Sequence, residues 1–439
     1  MIDCDETHDP GLKSWVSSAN SPDSEFPIQN LPFGVFCKDG SDRHVGVAIG
    51  ERIVDLELAF NRGLLSGRAA EAAGSCRAGC LISLMALGRD YSAALRVELS
   101  RLLREGATRR AAVEDCLIPI REVQMQLPEP IRNFTDFATS INHVTNLGRV
   151  YRPESPLRLN FVYLPAAYHG RASSLAVGGT PCRRPNGQFK LPNEAAPQYG
   201  PTRQLDFELE VGFFVGPGTR LGEPMPLAQA EQHVFGMCLV NDWSARDFIT
   251  WESQPLGPFL GKSFLTSVSP WIVTLEALAP FRTAAAARGT DAPPLLPYLN
   301  SEADRCHGGI DIALEVLLQS RPMRAANLPP VRIGAPRFAE HYWTVFQMLA
   351  HHGSNGCNLL PGDLMGSGTV SGTRGEELGC RLEAVATGAA PIKLPTGEER
   401  SFLEDGDEVV FRGRCERAGF QTIGFGDCRG IVEPAVAAH

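Results

Sequence analysis

The chain has 439 residues, enough for more than one hydrophobic core, and its 43% apolar and 21% charged residues are those of an ordinary globular protein. A net charge of −9 argues against a nucleic-acid surface, and no apolar run reaches the ~18 residues needed to span a bilayer. Twelve scattered cysteines without a CxxC pair speak against a zinc ribbon or a thioredoxin-like site; with a polar, acidic N-terminus that is no signal peptide, they are read as free thiols of a cytoplasmic protein.

Residues 1–30 are polar and rich in Ser, Asp and Pro, and read as a loosely ordered arm that becomes strand-like near Phe26. Val35, Val45–Ile49 and Ile53–Leu56 read as strands, separated by turns at Lys38-Asp39-Gly40 and Gly50-Glu51, a pattern suited to a small β-barrel. Residues 59–106 read as helical, with Leu95, Leu99, Leu102 and Leu103 on one face between a start at Asp90 and a stop at Gly106. Pro119–Pro130 reads as a connection between domains. Beyond Ile131 short strands alternate with Gly/Pro loops. Leu205–Val215 puts Leu205, Phe207, Leu209, Val211 and Phe213 on one face and Asp206, Glu208 and Glu210 on the other. A helix over Ala228–His233, a strand over Phe235–Val240, a surface loop at 284–296 and a helix over Phe338–His352 capped by Gly353 follow. Val409–Phe411 and Thr422–Phe425 read as final strands, and there is no internal repeat.

Side chains two apart on a strand share a face, so Glu208 and Glu210 sit side by side. Adjacent carboxylates repel, and a hard divalent cation with oxygen ligands resolves the conflict. The plainer alternative is a solvated strand face. Asp242 ends the apolar strand Cys238–Asp242, a position that holds a side chain rigidly. Asp136 lies in Asn133–Phe137, and seven residues later comes His143, either a general base or a satisfied structural histidine. Lys262 stands among glycines that permit close backbone approach to a ligand. Spacing alone does not bring these segments together.

Taken in order, the segments resemble the fumarylacetoacetase family, from Phe26-Pro27-Ile28 to Gly424-Phe425-Gly426. The blocks that carry the resemblance are Tyr168–Ser174, Leu205–Gly218, Asn241–Asp247, Leu256–Phe264, His351–Leu359 and Gly366–Gly372. The resemblance implies a mainly β protein with helices: an N-terminal SH3-like β-barrel domain over 1–125 and a C-terminal β-roll catalytic domain over 126–439, assembled as a homodimer. It implies a metal-dependent hydrolase that cuts a carbon–carbon bond in a small-molecule β-diketo acid, with Mg²⁺ or Ca²⁺ as cofactor and no nucleic-acid or membrane partner. Asp136, Glu208, Glu210 and Asp242 become the metal carboxylates, with Lys262 and Thr266 beside them. His143 becomes the base that activates water and Glu383 its orienting partner. Arg246 and Lys262 become oxyanion stabilisers, and Arg152, Tyr168 and Thr369 substrate contacts.

Three substrate positions depart from the family pattern. Ala138 and Ser253 stand where the family has tyrosines, and Ile249 stands where it has a glutamine donor. Two enzymatic readings follow: hydrolysis of fumarylacetoacetate, or hydrolysis, decarboxylation or isomerisation of a bulkier, less polar β-dicarbonyl acid. A non-catalytic metal-binding scaffold is a third reading, opposed by the intact His143, Glu383 and Lys262.

Overall fold

A computed structural model describes residues 2–38, 40, 42–128 and 130–437; Asp39, at the centre of one expected turn, lies outside them. The chain is mixed α/β, mostly β, and in two parts. In the first, Phe33–Cys37, Arg43–Ile49, Arg52–Asp55, Leu117–Pro119 and Gln124–Gln126 form a five-stranded sheet, with the last two strands at its edges. The helical stretch is several helices, of which Arg89–Leu103 is the longest; it buries Leu95, Leu99, Leu102 and Leu103 as the periodicity predicts.

The arm differs from its expectation. Residues 26–32 are buried, and the Arg96 guanidinium, itself buried, donates to the carbonyls of Gln29 and Asn30. A buried cation satisfied by main-chain oxygens pins the segment in place.

The second part is built on two sheets. An eight-stranded sheet has the order Ala166–Gly170, Phe134–Ala138, Leu364–Gly366, Leu209–Val215, Val234–Asp242, Thr266–Val268, Leu175–Val177, with Val273–Thr274 pairing beside Val234–Asp242. A six-stranded sheet carries Ala313–Gln319, Glu408–Cys415 and Cys428–Glu433 at its centre. The expected strand Leu205–Val215 is interrupted. Leu205–Asp206 pairs with Ser244–Ala245, whereas Leu209–Val215 pairs with Val234–Asp242. The expected helix Phe338–His352 is also two pieces, Phe338–Glu340 and Val345–Gly353, because Thr344 caps the second through a capping box with Gln347.

Both faces of Leu209–Val215 are covered. Phe213 belongs to the large core between the two sheets, whereas Phe214 belongs to a core that also holds Val35, Val47 and Leu99 of the first part. The two parts are joined further by a main-chain exchange between Phe33 and Ile272 at 2.9 and 2.8 Å. All twelve cysteines are free. Among the described residues no helix is long and apolar enough to cross a membrane.

Candidate active site

Strand registry gathers the carboxylates. Asp136 is paired with Gly366 on one side and Tyr168 on the other, Gly366 with Gly212, and Asp242 with Thr266. Asp136, Glu208, Glu210 and Asp242 thereby converge, each offering an oxygen within 4.8 Å of the others, and all four are buried. The solvated-strand alternative for Glu208 and Glu210 is thus excluded. Gly366 supplies the room: a Cβ there would lie 2.6 Å from Asp136 Oδ1 and 2.7 Å from Glu210 Oε2.

One side of this cluster is internally paired. The Lys262 ammonium donates to Glu208 and, at 2.8 Å, to Asp242 Oδ2. Asp242 also accepts from Thr266 Oγ1 at 2.6 Å and from the Tyr168 hydroxyl at 2.7 Å. Arg246 Nη1 reaches Glu208 Oε1 at 2.6 Å, and its Nε reaches Asp206 Oδ2 at 2.9 Å. Burial alone would raise the Glu208 carboxyl, but the neighbouring Lys262 and Arg246 cations hold it well below the usual range. Burial disfavours the Lys262 cation, yet Asp242 and Glu208 push its pKa up. Burial and the charge of Asp242 keep Tyr168 protonated and donating.

The other side is unpaired. Asp136 Oδ1 and both Glu210 oxygens are buried without a hydrogen-bond partner. Burial, then the charge of Asp242, raise Asp136 to about 8 from an ordinary 3.8. Burial, then the charge of Asp136, push Glu210 well above its ordinary value. Buried acceptors with nothing to accept are costly, and an all-oxygen donor set of this charge fits a hard divalent cation.

A second group stands beside the first. The helix Ile141–Tyr151, capped by Ser140, carries His143, and the helix Arg381–Ala386 carries Glu383. His143 Nδ1 lies 2.9 Å from Glu383 Oε2, a close polar contact without ideal hydrogen-bond alignment. Burial alone would raise Glu383; His143 and the donors on its oxygens hold it low.

The remaining candidates have separate positions. Thr369 Oγ1, Arg246 Nη2 and Arg152 Nε are buried without partners. Thr369 lies in the segment after Leu364–Gly366, and Arg152 ends the His143 helix. Ala138 ends its strand against Gly368. Ile249 packs on Gly261, next to Lys262, and Ser253 Oγ donates to the Ile249 carbonyl at 2.6 Å, so that hydroxyl is consumed within its own helix. A surface cavity of about 770 Å³ lies elsewhere, lined by Ser18, Glu25, Arg52 and Pro119, so burial and charge are what mark this site.

Four contributors escaped the sequence reading. Asp206 accepts from Arg246 and from the backbone N–H groups of Arg381 and Leu382, tying the oxyanion candidate to the helix of Glu383. Its place in the Asp206-x-Glu208-x-Glu210 alternation was the available signal. Ser371, Asn146 and Cys380 all donate to Glu383. Asn146 was visible as the residue one helical turn from His143; Ser371 and Cys380 carried no local signal.

Comparison with known proteins identifies the family. The family model described as "Fumarylacetoacetase N-terminal" matches residues 29–128, and that described as "Fumarylacetoacetate (FAA) hydrolase C-terminal" matches residues 132–433. The fumarylacetoacetase of Homo sapiens is 46% identical over 426 residues, covering 94% of this chain and 97% of that one. That of Bos taurus is 45% identical over 427 residues, covering 94% and 98%. A solved fumarylacetoacetate hydrolase from Exiguobacterium antarcticum superposes with a TM-score of 0.51 at 16% identity, over 92% of this chain and 99% of that one, a likeness of fold. With both family models matched in order and full-length relatives at this identity, the chain belongs to the fumarylacetoacetase family.

Proposed function

We propose that this chain is a hydrolase that converts fumarylacetoacetate and water to fumarate and acetoacetate, in tyrosine and phenylalanine catabolism. The observation that carries the reading is the placement of unsatisfied buried atoms. Asp136 Oδ1 and both Glu210 oxygens lie in the carboxylate cluster, Arg246 Nη2 belongs to the side chain that bonds Glu208, and all four atoms are buried without partners. Asp136, Glu208, Glu210 and Asp242 hold Mg²⁺ or Ca²⁺, with Lys262 and Thr266 orienting the ligands. When bound, the ion supplies Lewis-acid stabilisation of the negative charge that develops on ketone oxygens.

His143, oriented by Glu383, takes a proton from water, and the hydroxide adds to the ketone carbon of the fumaryl half. Arg246 and Lys262 receive the oxyanion; Arg246 Nη2, buried and unpartnered, is the free donor. Collapse breaks the carbon–carbon bond, leaves fumarate, and passes a proton to the departing carbon to give acetoacetate. Arg152, Tyr168 and Thr369 hold carboxylate and carbonyl groups of the substrate. The same reading takes 1–125 as an SH3-like barrel, 126–439 as a β-roll, and the assembly as a cytoplasmic homodimer; family membership supports it. Purified protein with Mg²⁺ should remove the diketone absorbance of fumarylacetoacetate, and a flat trace would sink the reading.

A second reading is favoured by Ser253, whose hydroxyl is consumed by Ile249, and by the small, apolar Ala138 and Ile249. In that reading the pocket grips a bulkier, less polar β-dicarbonyl acid. The triple change Ala138→Tyr, Ile249→Gln, Ser253→Tyr then raises kcat/KM on fumarylacetoacetate; an unaltered or lowered value leaves the first reading standing.

A further inference from the structure

Glu383 is held on both of its oxygens by different elements. Oε2 faces His143 and accepts from Ser371 Oγ at 2.6 Å and from the Cys380 thiol at 3.4 Å. Oε1 accepts from Asn146 Nδ2 at 3.0 Å. Asn146 is in turn gripped from behind: Arg149 Nη1 donates to its Oδ1 at 3.2 Å. His143, Asn146 and Arg149 follow one another at three-residue spacing along the helix Ile141–Tyr151, so they stack along one face. A carboxylate rotates about its last bond unless both oxygens are fixed. Its contacts on Oε2 alone leave that rotation open, whereas a bond to Oε1 from the helix that carries the imidazole closes it. The Arg149 cation, held on the amide oxygen, polarises the amide and strengthens its N–H as a donor.

We infer that Asn146, steadied by Arg149, is a positioning residue that fixes the plane of Glu383 and through it the ring of His143. The inference rests on the proposed role of His143 as base. Asn146 is half-buried and Arg149 exposed, so neither substitution opens a cavity in the core.

The test uses full-length protein with Mg²⁺. Asn146→Ala should lower kcat ~10-fold with KM changed less than ~2-fold, as expected when a reacting group is misplaced without loss of substrate contacts. Asn146→Asp, nearly isosteric but acidic, should lower it further, because it sets a second carboxylate against Glu383. Arg149→Ala should have a smaller effect in the same direction, and Arg149→Lys should recover it. Nitrogen-15 NMR of the histidine rings reads positioning without turnover: the His143 signal of a single Nδ1–H tautomer should become a tautomer mixture in Asn146→Ala. Wild-type kcat and an unchanged ring signal in Asn146→Ala overturn the inference. If the unaltered protein fails to cleave fumarylacetoacetate, the proposed function falls, while the ring signal still decides the role of Asn146.

Discussion

The two sides of the carboxylate cluster are built on opposite principles. Glu208 and Asp242 share the Lys262 ammonium and take further bonds from Arg246, Thr266 and Tyr168. Asp136 and Glu210, a few ångströms away and equally buried, keep three oxygens without a partner. The paired side is complete within the chain and serves as a fixed scaffold. The unpaired side stores electrostatic repulsion that only a cation or a proton relieves. Burial alone therefore does not separate the two sides; the absence of a partner does, and it marks Asp136 and Glu210 as the side that most needs the cation.

The comparison breaks most visibly if Lys262 is removed. Lys262→Met leaves Glu208 and Asp242 short of their shared cation and should cost about 3–5 kcal/mol in chemical denaturation. Glu210→Gln should do the reverse without metal. It removes a carboxyl whose ionised form burial and Asp136 disfavour, raises the melting temperature of chelated protein at alkaline pH, and abolishes the stabilisation by Mg²⁺. If both substitutions destabilise alike, the two sides do not differ. His143→Ala lies outside both and should sharpen the contrast: kcat falls at least ~10²-fold while the Mg²⁺ shift in melting persists.

A smaller effect follows from pH. Asp136 titrates near 8 in the folded chain and near its ordinary 3.8 when unfolded, so between these values the folded state binds the extra proton. Stability of the chelated protein should be highest at the low end of that window and fall as pH rises to about 8. Saturating Mg²⁺ should flatten the slope and, at about 100 times its Kd, add roughly 2.7 kcal/mol. A chelated melting temperature that rises with pH through this window would contradict the assignment. Smallest of all, Gly366→Ala should weaken Mg²⁺ binding in calorimetry with little change in metal-free melting, because its Cβ intrudes on Asp136 Oδ1 and Glu210 Oε2. Unaltered affinity would place the cation elsewhere.

The site was legible in the sequence where a local pattern carries it, and illegible where registry does. Alternation put Glu208 and Glu210 together. It could not show that Asp136 meets them through Gly366, since that pairing joins strands more than two hundred residues apart. The solvated alternative failed because alternation implies one wet face, and here that face is covered too: Phe214 packs with the first part, while Glu208 and Glu210 meet Asp136, Asp242 and Gly366. The arm was misread for a related reason: its polar composition argued for looseness, while Arg96, remote in sequence, supplies the bonds that order it. The break before Val345 was readable in Thr344 and Gln347, whose cap signature outweighs the helical periodicity around it.

The strand Leu209–Val215 separates two cores, with Phe213 rooted in one and Phe214 in the other. It also carries Glu210, so the machinery is not a cassette that could be lifted from its neighbour. Stripping away the first part would lay bare Phe214, Phe235, Val240 and Leu364, of which Phe214 and Val240 share the face of the sheet that bears Glu210. An apolar wall of that kind invites association with any similar surface. The N-terminal part is thus the enzyme's second wall, and sequence drift within it is constrained by the chemistry that shares this face of the sheet.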